Sequence, residues 1–194
     1  MTRRRRLAAL SAIVLAAPLV LAATGAARAA DVPPPAPPLP LGQCAPYAGG
    51  TTICSGSVPS FDGSPLDFDV TLPTDNSPGP HPLIVMLHGF GNNKHEWEST
   101  TDEGDGADKY QWNSHWLARH GYYVLTYTAR GFRSKAASEP YQPDTPGGTS
   151  VGPPAGTIHI KSRNWEVRDT QWLAALVAAT FGDVDPSRVA VTGG

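Results

Sequence analysis

Between Ser60 and Gly194 the spacing of apolar residues changes period several times, and each period predicts a different element. "FDGSPLDFDVTLP" alternates, with Leu66, Phe68, Val70 and Leu72 apolar, as a strand with one wet face would. A turn-rich stretch, "TDNSPGPHP", follows. Leu83 to Leu87 is then a continuous apolar run, the pattern of a parallel strand covered on both faces. "YQWNSHWLARHG" has helical spacing, with Trp112, Trp116 and Leu117 on one side and Gly121 at its C-terminal end. "YYVLTYTARG", aromatic and β-branched, is the next strand.

The clearest helix is "NWEVRDTQWLAALVAATFG". Asn164 is expected to cap it, Glu166 suits the positive end of its dipole, and Gly182 stops it. Its apolar stripe is Trp165, Trp172, Leu173, Leu176 and Val177. Asp185-Pro186 turns the chain into "RVAVTGG", where Val189 to Val191 reads as a strand buried on both faces and Thr192, Gly193 and Gly194 begin a turn. Strand, helix, strand, helix, strand predicts an α/β fold: a mostly parallel sheet with flanking helices and right-handed crossovers. There is no internal repeat.

Composition changes the picture mainly at the N-terminus. "MTRRRRLAALSAIVLAAPLVLAATGAARAA" has a basic start, an apolar run from Leu7 to Ala23 and a small-residue Ala27-Arg28-Ala29 ending. This predicts a signal peptide over residues 1–29 and export by the Sec or twin-arginine route; Pro18 argues against a retained membrane anchor. Cleavage removes Arg3, Arg4, Arg5, Arg6 and Arg28 and makes the formal charge of −2 more negative. A mildly acidic chain without a basic stripe is not expected to bind nucleic acid. Residues 30–43 are proline-rich and read as a semi-rigid linker. Cys44 and Cys54 are the two cysteines of the chain, and in an oxidising compartment they are expected to pair, stabilising a small lead-in over 44–59 by roughly 2–3 kcal/mol. Residues 60–194 then form the main domain, read as incomplete.

The order strand–"HGFG"–helix–strand–helix–strand–"GG" resembles the N-terminal half of an α/β-hydrolase. With "RDTQWLAAL" and "YTARGF" it is similar to the X-Pro dipeptidyl-peptidase/cocaine-esterase-like group, over Phe61 to Gly194, with the loop from Glu139 to Gly156 a poor match. In that fold the fifth strand runs into a G-x-S-x-G turn carrying the nucleophile. The resemblance implies that Gly193 is its first glycine, that Gly194 precedes the serine, and that acid and base lie further on. It also implies that the loop His88, Gly89, Phe90, Gly91 forms half of an oxyanion hole through the Phe90 backbone N–H. An ordinary glycine turn remains the alternative for this loop.

Several tempting residues fail on context. His88 precedes the nucleophile, whereas the base follows it in this fold, so His88 is expected to brace its own loop. Asp169, early in a helix before the nucleophile, is expected to anchor a loop or meet the dipole. "GTSVG", Gly148 to Gly152, matches the elbow pattern with Ser150 at its centre, but it lies among prolines and glycines with no strand before it or helix after it. Asp102, Asp105 and Asp108 could hold calcium but lack the spacing of an EF-hand and read better as a solvated acidic loop. The histidines, His88, His95 and His115 among them, show no metal-ligand spacing, so neither metal nor cofactor is expected. Trp97, Trp112, Trp116, Trp165 and Trp172 could line a pocket, though aromatics near helical period are more often core.

The chain departs from the family around its fourth strand, where "TYTARGFRSK" puts Thr128 and Arg133 at positions usually held by an aspartate and a glycine. Substrate preference therefore does not carry over. Two functions follow from this reading. One is the N-terminal part of an exported serine hydrolase that cleaves small ester or peptide substrates, with residues 1–194 alone inactive for want of a nucleophile. The other is a non-catalytic secreted binding protein on the same scaffold.

Overall fold

The apolar run at Leu83–Leu87 lies in β4, hydrogen-bonded between two parallel neighbours in a six-stranded sheet. In a computed structural model of the chain, the structure describes residues 38–75, 78–100, 109, 111–132 and 156–193. All of them belong to one unit, Pro34–Gly194. The strands are β1 (Leu41–Pro46), β2 (Thr52–Pro59), β3 (Pro65–Leu72), β4 (His81–Leu87), β5 (Tyr123–Tyr127) and β6 (Val184–Gly193). Two helices accompany them, α1 (Ser114–Ala118) and α2 (Glu166–Thr180), and a 3-10 turn spans Lys94–Trp97.

The sheet order is β1-β2-β3-β5-β4-β6. β5, β4 and β6 are parallel, and β1, β2 and β3 join as antiparallel neighbours. The sheet is mixed, with β2, β4, β5 and β6 running one way. Alternate residues of β4 face opposite helices. Leu83 and Val85 pack with Leu173, Leu176 and Val177 of α2, while Ile84 and Met86 pack with Leu117 and Ala118 of α1. Cover on both faces is the physical reason for the unbroken apolar run. The chain leaves β4 for β5 on one side and then returns past it to β6 on the other. Such a reversal opens a crevice at the carboxyl ends of the strands.

Five local expectations need correction or refinement. β3 does bury Leu66, Phe68 and Val70, but its other face is dry as well: Asp67, Asp69 and Thr71 are buried. Segment 94–99 folds over that face and brings Lys94 and His95 to its carboxylates, so polarity there reflects ion pairing and not contact with water. The first helix is only α1, because Asn113, whose side chain accepts the Trp116 N–H, starts it late; Trp112 lies outside it, half exposed. Asn164 does not cap α2. Trp165 holds that position without a side-chain bond, and Asn164 instead donates its N–H to Ser162 Oγ. β6 is the end strand of the described sheet, so Val189 and Val191 remain 44% and 55% exposed instead of buried. Cys44 and Cys54 sit opposite each other and are joined by a disulfide, but the hairpin they close is the outer edge of the same sheet.

No helix among the described residues is long and apolar enough to cross a membrane. Residues 1–29, most of the linker, Ser150, Asp102, Asp105, Asp108, Arg133 and Gly194 lie outside the described residues.

Candidate active site

β4 ends at Leu87, and the next four residues, His88 to Gly91, turn across the carboxyl end of the sheet. Their conformation is held from several directions. The Gly89 N–H donates to the carboxylate of buried Glu96, and the Asn92 N–H returns to the Gly89 carbonyl at 3.1 Å. The indole N–H of Trp97 donates to the Leu87 carbonyl at 2.8 Å. The 3-10 turn Lys94–Trp97 is thus a clamp on the loop. It is fixed in turn by Asn93, whose side chain accepts the His95 N–H, and by the Lys94 N–H donating to Thr128 Oγ1 at 3.2 Å. Lys109 reaches Glu96 at 3.4 Å and lies over the Trp97 ring. Gly91 has φ +88°, in the left-handed region that favours glycine.

His88 has neither nitrogen free. Its Nε2 accepts the Ala129 N–H at 2.9 Å, so its Nδ1 carries the proton and donates to the Gly89 carbonyl at 2.8 Å. Burial lowers its pKa, against the opposing pull of the Gly89 bond and the Glu96 and Asp67 charges, and so favours this neutral form. His88 therefore ties β5 to the loop and is not poised to take a proton. Phe90 projects its ring outward, 81% exposed, edge-on to Phe132 at 5.1 Å. Among the described residues no acceptor meets the Phe90 N–H.

β6 brings its own carboxyl end to the same place. Gly193 pairs with Leu87, and a Cβ on it would stand 2.9 Å from the Leu87 carbonyl oxygen. Only glycine allows the strands to approach so closely at the root of the loop.

Arg130, just after β5, anchors the other wall. It is buried, and its guanidinium donates through Nε and Nη2 to Asp169 at 2.6 Å each and through Nη1 to Asp62 at 2.8 Å. Ser60 donates its hydroxyl to Asp169 as well. The hydrogen bonds to Asp169 dominate in raising the Arg130 pKa, and Arg130 holds Asp62 down at about 2. Asp169 is therefore a buried anchor joining α2, the β2–β3 turn and the end of β5. Tyr127 meets Thr170 at 2.8 Å, and its phenol is pushed up to about 12, chiefly by burial, so it is neutral at pH 7.

Between these walls opens a cleft of about 390 Å³, in the range of small-molecule sites. Leu87 to Phe90 line one part and Tyr127, Ala129, Arg130 and Phe132 another; Ile158, Ile160, Lys161, Glu166, Val167 and Thr170 complete it. None of the five tryptophans lines it.

Beneath the loop, on the α1 face, sits a charged cluster that local pattern did not reveal. Lys94 lies 3.0 Å from Asp69 and 3.9 Å from Asp67, and His95 lies 2.6 Å from Glu98. Thr128 Oγ1 donates to Asp67 at 3.0 Å and Thr126 to Glu98 at 2.6 Å. Thr128 is thus wired into the cluster and away from the cleft. Burial, and then Glu98, push Asp69 up to about 6, while Lys94 and His95 pull the other way. Burial opposes the charge on Lys94 and on His95, and the surrounding carboxylates outweigh it and raise both. Asp69, His95 and Glu98 bring possible ligand atoms within 4.8 Å of one another, but the Lys94 ammonium already supplies the positive charge, which makes the cluster an ion-pair network beneath the loop.

The candidate site therefore combines the loop that the HGFG pattern marks with two supports, Glu96 and the Arg130–Asp169 pair. These supports have no local signature, since their contacts span 7 and 39 residues.

No family model matches the chain, and no curated protein matches it. Among solved structures it is similar to a hypothetical protein from Pseudomonas aeruginosa, with 15% identity, a TM-score of 0.48, and coverage of 76% of this chain and 36% of that one. It is also similar to acetyl xylan esterase 1 from Thermoanaerobacterium sp. JW/SL YS485, with 20% identity, a TM-score of 0.44, and coverage of 78% and 44%. A third is a Xanthomonas campestris protein described as a serine hydrolase without a lid, with 18% identity, a TM-score of 0.41, and coverage of 81% and 53%. The chain spans 36% to 53% of the length of these proteins.

Proposed function

We propose that this chain is the N-terminal part of an exported α/β-type serine hydrolase that opens ester bonds, or peptide bonds after proline, through an acyl-enzyme. The observation that carries the reading is the Phe90 N–H: it has no acceptor among the described residues, in a loop clamped by Glu96 and Trp97, beside the strand end at Gly193. A backbone donor on a clamped loop that lines a cleft is what a developing oxyanion requires. The signal-like N-terminus and the Cys44–Cys54 disulfide support an oxidising compartment outside the cytoplasm.

In this reading a serine follows Gly194, with the carboxylate and the histidine base later in the protein. The serine hydroxyl adds to the substrate carbonyl carbon as its proton passes to the histidine. The carbonyl π electrons move to oxygen, where the Phe90 N–H and the N–H after the serine receive the charge. Collapse expels the alcohol or amine, which leaves with that proton; water then repeats the sequence on the acyl-enzyme. His88 takes no proton in any step, because its Nε2 lone pair is committed to Ala129.

The test uses the protein encoded through and beyond Gly194. Phe90→Pro removes the donor, and kcat for a p-nitrophenyl ester should fall roughly 10²–10³-fold while the urea midpoint shows a folded protein. Unchanged turnover in Phe90→Pro would overturn the assignment. So would hydrolysis by residues 1–194 alone that Ser150→Ala abolishes.

A further inference from the structure

Ile160 and Lys161 are the two non-glycine residues in the left-handed region among the described residues, with φ +48° and +58°. For a β-branched side chain this is a strained backbone, because Cβ crowds the chain on both sides. Ile160 is not held there by core packing, since it is 63% exposed. The constraint comes from its neighbours. The carboxylate of Glu166 accepts the His159 N–H at 2.6 Å and the Ser162 N–H at 3.1 Å, bracketing the strained pair. The His159 ring stacks on Trp165 at 4.7 Å, and Ile158 is wedged against Gly131 so tightly that a Cβ there would meet it at 2.3 Å.

Both strained residues line the cleft. Strained residues with no packing role that concentrate at a cleft are a mark of use by a ligand. We propose that Ile160 is a specificity-determining residue, held left-handed by Glu166 so that its side chain joins Phe90 and Phe132 in selecting an uncharged apolar group on the substrate. This inference rests on the cleft being the substrate site of the proposed hydrolase. Of the ionic side chains in the wall, Arg130 is held by Asp62 and Asp169 and Glu166 by backbone N–H groups, which leaves Lys161, among the described residues, as the one charge beside Ile160, while Phe90, Phe132 and Ile160 supply the apolar contact for the guest. Ile158 and Val167, which line the cleft with Ile160, are apolar as well.

The test compares p-nitrophenyl hexanoate with p-nitrophenyl acetate on the full-length protein and its Ile160→Gly and Ile160→Asn variants. Glycine and asparagine both tolerate the left-handed backbone, so neither variant should melt below the parent protein. The hexanoate-to-acetate ratio of kcat/KM should fall roughly tenfold in both. A ratio that stays constant, or falls only together with the melting temperature, would overturn the proposal. Saturation-transfer NMR with hexanamide and acetamide reads the same preference without turnover. If neither ester is cleaved but hexanamide still binds better than acetamide and loses that advantage in Ile160→Gly, the hydrolase reading fails and the role of Ile160 stands. Equal binding of the two amides by the parent protein would overturn the role of Ile160.

Discussion

Replacing Glu96 by alanine removes the acceptor of the Gly89 N–H and the carboxylate partner of Lys109. A hydrogen bond from a backbone N–H to a buried carboxylate contributes about 1.5–3 kcal/mol, and the donor left behind is only partly exposed. The Lys109 contact, at 3.4 Å and partly exposed, adds no more than about 1 kcal/mol. The expected loss of stability is therefore about 2–3 kcal/mol. The catalytic loss should be separable from it. With its N-terminal tether gone, the loop spends less time with the Phe90 N–H aligned, and the ceiling is the roughly 3–4 kcal/mol that one oxyanion donor supplies. A fall of about 10- to 100-fold in kcat, with little change in KM, is the expected range.

Glu96→Gln keeps an oxygen for Gly89 and loses only the charge, so it should recover most of both quantities. Urea denaturation and steady-state ester hydrolysis on the full-length protein, run on all three forms, decide the matter. An alanine variant that loses less than about 0.5 kcal/mol and keeps its kcat would refute the clamp.

Two further outcomes follow from the buried charges. Asp169→Ala leaves the buried Arg130 guanidinium with partly exposed Asp62 as its remaining carboxylate, and should cost about 3–5 kcal/mol by urea denaturation; an Arg130→Met, Asp169→Leu double variant should lose less than the single one, and the reverse order would contradict the pairing. His95, whose folded pKa is raised, contributes stability that is fully present below its unfolded value near 6.5 and is lost as pH rises through the folded value; Asp69, raised to about 6, acts with the same sign between about 4 and 6. The parent protein should therefore exceed His95→Gln in melting temperature most at about pH 5.5 and least at about pH 8.5, and a gap that widens with pH would contradict the geometry.

Much of the sheet was legible because its signals are local. The run Leu83–Leu87 has helices on both sides, and Leu173, Leu176 and Val177 share one buried stripe of α2. The loop His88–Gly91 was legible for a similar reason, as a glycine turn directly after a buried strand. What pattern missed depends on distant partners. Asp67 and Asp69 alternate with apolar residues as exposed positions would, and only Lys94 and His95, folded back from about 25 residues away, show that they are dry. Asn164 has the chemistry of a cap, but the segment before α2 is organised by the Glu166 carboxylate instead, which fixes Ser162 and His159. No residue-type preference points to Ile160 as left-handed; that geometry is bracketed by the Glu166 carboxylate, which accepts the N–H groups of His159 and Ser162 on either side of it.

The proposed hydrolase requires a nucleophile directly after Gly194, within reach of the Phe90 N–H. The most direct measurement is to treat the natural full-length protein with a fluorophosphonate and map the adduct by mass spectrometry. The expected result is a single phosphonylated serine immediately following Gly194, with labelling slowed in Phe90→Pro. An adduct on Ser150, or no adduct on a folded protein, would contradict it and turn attention to binding without catalysis.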